Sequence, residues 1–298
     1  MVEVVRERVM GGAPSASPSG YPPGSSAGFP PGSSSGEPAV PSPASGVVPA
    51  PAGPPWAVRV EHLVKRFGHG PVVLDDVSLD VAPGEFVCLI GASGCGKSTL
   101  LSLLAGLDRP NAGSVAVAGD RAALMFQEPA LLPWLTAAGN VELALRLRGV
   151  PRRERRGEAL DLLRLVRLDG AANLRPHELS GGMRQRVALA RALAQRSPVL
   201  LMDEPFAALD AITRDVLHEE LVRIWRETGV SIVFVTHNVR EAVRLGQRVL
   251  LLSSRPGRVI ASWDVNIPGP RRIESAGVAE LAVEITDHLR QEIRRHAA

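Results

Sequence analysis

Lysine is almost missing from this chain. Lys65 and Lys97 are the only two lysines among 34 basic Lys and Arg residues in a sequence of 298. Cysteine is as scarce, with Cys88 in an apolar run and Cys95 in a glycine-rich turn. Two thiols so placed build no disulfide framework and suit the reduced interior of a cell. No stretch approaches the ~18 apolar residues of a membrane span, which excludes crossing a bilayer as a helix. His62, His69, His177, His218, His288 and His296 form no cluster with the cysteines, so no zinc site is expected. The net charge of +3 is carried by scattered arginines and makes no argument for nucleic acid. Arg152, Arg153, Arg155 and Arg156 stand together beside Pro151 and Glu154 and read as a solvated helix start.

Apolar and aromatic residues are thin before Trp56. From Gly11 to Pro55 the chain is almost entirely Pro, Gly, Ser and Ala, which buries too little to offset ordering entropy. Residues 1–56 are therefore expected to be a disordered tail. Glu3, Arg6, Glu7 and Arg8 interrupt the first residues, unlike a secretory leader. From Val58 onward, strand-like and helical segments alternate. Alternation at Val77, Leu79 and Val81, the Pro83-Gly84 turn, and buried-strand runs at 86–90, 122–126, 199–202 and 231–235 are separated by helical spacing at 141–148, 158–168 and 213–227. The order implies an α/β domain with a mainly parallel sheet, whose ligands bind at the carboxyl ends of the strands.

At the end of the run 86–90 lies Gly91-Ala92-Ser93-Gly94-Cys95-Gly96-Lys97-Ser98-Thr99, followed by a helix-prone stretch. Strand, glycine-rich turn and helix start make the context in which G-x-x-x-x-G-K-[ST] is a phosphate loop. Backbone N–H groups and the helix N-terminus cradle phosphates, Lys97 meets the β and γ phosphates, and Ser98 offers its hydroxyl to Mg²⁺. A nucleoside triphosphate is the expected ligand. That an arginine-rich chain keeps lysine here agrees.

Two further constellations matter. Asp203 and Glu204 follow the apolar strand Val199–Met202. Alone, such acids are ordinarily a solvated strand end. Beside a phosphate loop, Asp203 is placed to hold Mg²⁺ and Glu204 to polarise an attacking water. Leu179-Ser180-Gly181-Gly182-Met183-Arg184-Gln185-Arg186 opens a helix with Ser180 as N-cap. It reads either as a capped surface helix or as a second phosphate-gripping N-terminus.

These elements, in this order from Val58 to Arg258, resemble the ATP-binding cassette ATPases. The resemblance implies a RecA-like P-loop NTPase core with an N-terminal antiparallel β subdomain and an inserted α-helical subdomain at about 129–195. The ATPase domain would span 57–272, with an amphipathic C-terminal helix over 273–298. In that family two cassettes pair head to tail, so Ser180, Gly181 and Gly182 would contact the ATP of the partner and Asp210, in Ala208-Leu209-Asp210, would lie at the interface. Gln127 matches the glutamine that touches Mg²⁺ and water, His237 the switch histidine at the γ-phosphate, and Phe67 the aromatic that stacks on adenine. ATP and Mg²⁺ are the implied cofactors. Lacking spans of its own, the chain would sit peripherally on the cytoplasmic face of the cell membrane, as a homodimer with two permease subunits and a periplasmic or extracellular solute-binding protein.

Within the family, the stretch Phe126 to Trp134, Met183 after the glycines, Met202 to Asp210, Arg255-Pro256-Gly257 and Ile267 to Arg272 are similar to importers of nitrate, taurine and aliphatic sulfonates. Aliphatic sulfonate is the favoured solute, with taurine and nitrate as alternatives. Leu132 and Trp134 read equally as permease anchors or as core. Asn238 departs from the Asp usual after the switch histidine, and 113–121 is short for the group. A non-transport cassette acting on DNA or ribosomes is the rival, but its usual coiled-coil insertion, zinc cysteines or second cassette are not seen. A silent regulatory cassette would be expected to lose Lys97 or Glu204.

Overall fold

The molecule is described by a computed structural model over residues 55–119 and 121–297, so all but the last two residues of the expected tail lie outside the described residues. β1 (Val58–Arg66), β2 (Val72–Val81) and β4 (Ala112–Val117) form an antiparallel sheet in the order β2-β1-β4. Its strands alternate as a half-buried sheet must: Val58, Val60 and Leu63 are buried while Arg59 and Glu61 face out.

The second sheet is built differently. β5 (Ala123–Met125), β6 (Val199–Asp203), β7 (Ser231–Val235), β3 (Phe86–Gly91), β8 (Arg248–Leu252) and β9 (Val259–Asp264) pair in the order β5-β6-β7-β3-β8-β9. All neighbours are parallel except β8 and β9. β3 and β7 are buried at every position, because both faces of this sheet are covered. On one side Val87, Leu89 and Val235 pack with α1 (Lys97–Leu104) and the antiparallel sheet. On the other Phe86, Cys88 and Phe234 pack with α4 (Gly181–Leu193), α5 (Ala211–Thr228) and α6 (Val239–Leu245).

α2 (Ala137–Leu147), α3 (Arg152–Leu165) and α4 lie between β5 and β6 in the chain. α2 begins four residues before the helical spacing suggests, because Thr136 Oγ1 accepts from Gly139 N at 3.1 Å and caps it. α3 also begins early, taking in the arginine run. Arg155 Nε reaches back to Val150 O at 2.7 Å, and Arg156 bridges to Glu142 at 3.1 Å. α7 (Ala276–Ala297) buries Val278, Ala282 and Ile285 at helical spacing against this core. No helix among the described residues is long and apolar enough to cross a membrane.

Candidate nucleotide site

The carboxyl ends of β3, β6 and β7 lie side by side, since β7 pairs with both β3 and β6. That adjacency assembles the site. β3 ends at Gly91, and the chain turns through Ala92–Gly96 into α1, with Gly96 at φ 107° as its N-cap. β6 ends at Asp203, and Thr236-His237 follows β7. Phe67, Ser93, Gly94, Gly96, Lys97, Ser98, Thr99, Glu204 and Arg255 line one cavity of about 450 Å³. A larger hollow of about 870 Å³ runs past Trp56, Pro198 and Gly229, outside this cluster, and holds none of the residues expected to bind nucleotide.

Lys97 is buried despite its charge, with Nζ donating to Gly91 O at 2.9 Å and Ala92 O at 3.0 Å. Cys95 is a buried residue of the loop, a free thiol whose pKa is pushed up by burial. Burial pushes the Asp203 carboxyl above its usual range, against the pull of nearby Ser98 and Lys97. Two adjacent oxygen donors fit a hard cation such as Mg²⁺.

Glu204 holds a left-handed backbone at φ 44°, which a side chain with a Cβ adopts rarely and at a cost. Its N donates to Val235 O at 3.0 Å and pins the strained residue to β7. Its Oε2 lies 2.9 Å from His237 Nδ1, so the acid and the histidine form a pair of which Glu204 lines the cavity and His237 does not. Phe67 is half exposed, with Lys65 Nζ 4.8 Å from its ring centroid. One face of the ring therefore meets a cation, and the ring borders the cavity.

Ser180, Gly181, Gly182 and Asp210 form a second group and do not line that cavity. Ser180 Oγ accepts from Met183 N at 3.2 Å and caps α4. Asp210 Oδ1 accepts from Thr213 N at 2.9 Å and caps α5, and these bonds hold its carboxyl below the usual range. A Cβ at Gly182 would fall 2.7 Å from Thr213 Cγ2, so glycine lets the two helix starts touch. Gln127 is exposed and also lies outside the cavity lining.

Sequence reasoning missed what holds the stretch after β5. Gln185 Nε2, from buried α4, donates to Gln127 O at 3.0 Å. Arg191 donates to Pro129 O and Ala130 O, both at 2.7 Å, and buried Asn140 bonds Leu132 N at 2.8 Å. The signal was present as polar side chains on the apolar faces of α2 and α4. Trp134 is 67% exposed, which rules out the core reading for it. Asn238 Oδ1 accepts from Glu241 N at 3.2 Å, so the departure from Asp keeps the cap of α6.

The ABC transporter family matches residues 74–207. The taurine import ATP-binding protein TauB of Rhizobium johnstonii is 46% identical over 251 residues, covering 80% of this chain and 95% of that protein. The nitrate import ATP-binding protein NrtD of a Synechocystis strain is 48% identical over 205 residues, covering 66% of this chain and 77% of that one. A bacterial ABC transporter cassette solved as a dimer aligns with TM-score 0.62 and 34% identity, covering 71% of this chain and all of that one. The same cassette in a post-hydrolysis state with ADP and Pi aligns at TM-score 0.61. With a taurine-import relative matched along nearly its whole length, the chain belongs to the ATP-binding proteins of the ABC transporter family.

Proposed function

We propose that this chain is the ATP-binding and ATP-hydrolysing subunit of an ABC importer for a small anion of the aliphatic sulfonate class. The observation that carries the ATPase reading is Glu204, which lines the cavity of Lys97 and Ser98 while touching His237. The loop amides and Lys97 hold the β and γ phosphates of ATP, and the Phe67 ring stacks on the base. Ser98 and Asp203 would hold Mg²⁺, which when bound would neutralise phosphate charge, and Gln127 would have to join them from outside the cavity lining. Glu204 accepts a proton from water as that water attacks the γ-phosphorus. The bond to the β-phosphate oxygen breaks, and ADP and phosphate leave. His237, held by Glu204 at 2.9 Å, would serve as the switch that contacts the γ-phosphate.

Ser180, Gly181, Gly182 and Asp210 lie together outside the cavity, which supports a head-to-tail homodimer in which they complete the partner's site. Closure of that dimer would drive two permease subunits, fed by an external solute-binding protein, at the cytoplasmic face of the membrane. The ATPase domain is assigned to 57–272 and its helical subdomain to about 129–195, while the C-terminal helix expected over 273–298 starts only at Ala276, after a turn at 273–275. Exposed Phe126 and Trp134 flank Gln127 and offer apolar anchors for a permease helix. Taurine is itself an aminoalkanesulfonate, so the taurine-import relatives support the sulfonate class. The nitrate-import relative favours nitrate as the second reading.

The test is transport into vesicles holding the cognate permease, with an alkanesulfonate, taurine and nitrate offered in turn. ATP-dependent uptake of a sulfonate is expected, and uptake of nitrate alone would replace the substrate assignment. Absence of ATP hydrolysis by the purified chain with its permease would overturn the ATPase reading.

A further inference from the structure

The turn between β8 and β9 is wedged onto the phosphate loop. Ser253 Oγ donates to Pro256 O at 2.7 Å and accepts from Arg258 N at 2.9 Å, so the turn is braced internally. Gly257 N donates to Val73 O at 2.8 Å, and Asp75 N donates to Gly257 O at 3.0 Å, which ties the turn to β2. A Cβ at Gly257 would collide with Cys95 O of the phosphate loop. From this fixed seat Arg255 Nε donates to Gly94 O at 2.7 Å, and its side chain borders the nucleotide cavity.

The other end of the turn is held by the C-terminal helix. Ser254 N donates to Glu292 Oε1 at 3.1 Å. Glu292 is buried, 6% exposed, on a helix seated through Val278, Ala282 and Ile285. A continuous chain of contacts thus runs from α7 through Glu292, Ser254 and Arg255 to the Gly94 carbonyl.

Gly94 has φ 74°, and with no Cβ its flanking peptides turn over at little cost. A carbonyl oxygen turned into the cavity would repel phosphate oxygens and remove a donor from the cradle. The guanidinium opposes that turn, because a hydrogen bond to a charged donor is stronger than one between neutral groups. We propose that Arg255 is a positioning residue of the phosphate loop, holding the Gly94 carbonyl out of the nucleotide cavity, and that α7 sets Arg255 in place through Glu292.

This proposal rests on the nucleotide-site reading. The experiment uses the full chain and measures Kd for ATP and for inorganic triphosphate, with KM and kcat, in Arg255→Met, Glu292→Ala and the double variant. Arg255→Met is expected to raise both Kd values and KM about tenfold, equivalent to ~1.4 kcal/mol, with kcat kept. Glu292→Ala is expected to move them in the same direction by a smaller factor. The double variant should match Arg255→Met alone, since Glu292 acts through Arg255. Unchanged triphosphate binding in Arg255→Met would overturn the proposal, and so would additive effects in the double variant or a fall in kcat with KM kept. If wild-type chain bound neither ATP nor triphosphate, the nucleotide-site reading itself would fail.

Discussion

His237 Nδ1 lies 2.9 Å from Glu204 Oε2, and the two reach each other from the ends of adjacent parallel strands. The contact joins residues 33 positions apart and stands on a backbone at φ 44° for Glu204. Strain of that kind persists only where the surroundings hold it, here the bond from Glu204 N to Val235 O. The geometry proposed for catalysis and backbone stability are therefore opposed at this residue.

Glu204→Gln keeps the side-chain shape and removes the base. Hydrolysis is expected to fall by about 10²–10⁴-fold while ATP still binds, so ATP-bound dimer accumulates. Phosphate release and size-exclusion chromatography with ATP check both halves, and normal turnover would sink the assignment. Glu204→Gly is expected to abolish hydrolysis too, yet to melt no lower than wild type, since relief of the left-handed strain is worth about 1–2 kcal/mol.

Lys97 holds two loop carbonyls at 2.9 and 3.0 Å, and the same ammonium is proposed to meet the phosphates. Lys97→Ala is expected to weaken ATP binding by at least about tenfold, from the ~1.5–3 kcal/mol of a charged hydrogen bond, and to end turnover. Titration with a fluorescent ATP analogue reads the first effect. Circular dichroism should show the fold retained.

Much of the site was legible because its parts are contiguous in sequence. Gly91 to Thr99 reads as a phosphate loop within a few residues, Asp203-Glu204 takes its reading from that loop and Ser180-Gly181-Gly182 from the family resemblance, and the parallel sheet follows from apolar runs separated by helical spacing. What was not legible depends on contacts between distant residues. The bond from Gln185 to Gln127 O spans 58 positions, and that from Arg255 to Gly94 O spans 161. No local pattern names such a partner. The early starts of α2 and α3 were hidden for another reason, since capping by Thr136 and the arginine contacts extended helices beyond their apolar stripes.

Gln185 is nearly fully buried on α4, and its amide joins Arg191 in tying that helix to the backbone after β5. Gln185→Ala is expected to destabilise the chain by about 0.5–1.5 kcal/mol, the net worth of a hydrogen bond to a carbonyl on an exposed residue. Thermal melting measures it, with a Tm fall of a few degrees expected for a domain of this size. Unchanged Tm would show that the contact carries no stability.

Burial raises the Asp203 pKa in the folded state above its ordinary value of 3.8. A raised carboxyl pKa means the fold disfavours the charged form, so stability falls as pH rises through the ordinary pKa and stays lower above the folded pKa. Asp203→Asn removes that penalty. The variant is expected to melt higher than wild type at neutral pH, with the gap closing in acid where both states hold the proton. It should also lose Mg²⁺-dependent hydrolysis. A gap independent of pH would contradict the burial argument.

Asn238 stands where the family usually carries Asp, and the contacts say what the position does. Its Oδ1 accepts from Glu241 N at 3.2 Å and its N donates to Thr236 Oγ1 at 3.0 Å, so it caps α6 and shapes the turn that carries His237. A cap needs an acceptor oxygen, which amide and carboxylate both supply. Asn238→Asp is therefore expected to leave Tm and hydrolysis within a small factor of wild type. Asn238→Ala should cost about 0.5–2 kcal/mol and loosen His237, lowering kcat. Chemical denaturation and steady-state kinetics on the two variants separate a cap from a charge. If Asp changed kcat as much as Ala does, a neutral side chain at this position would matter for chemistry, and the capping account would be wrong.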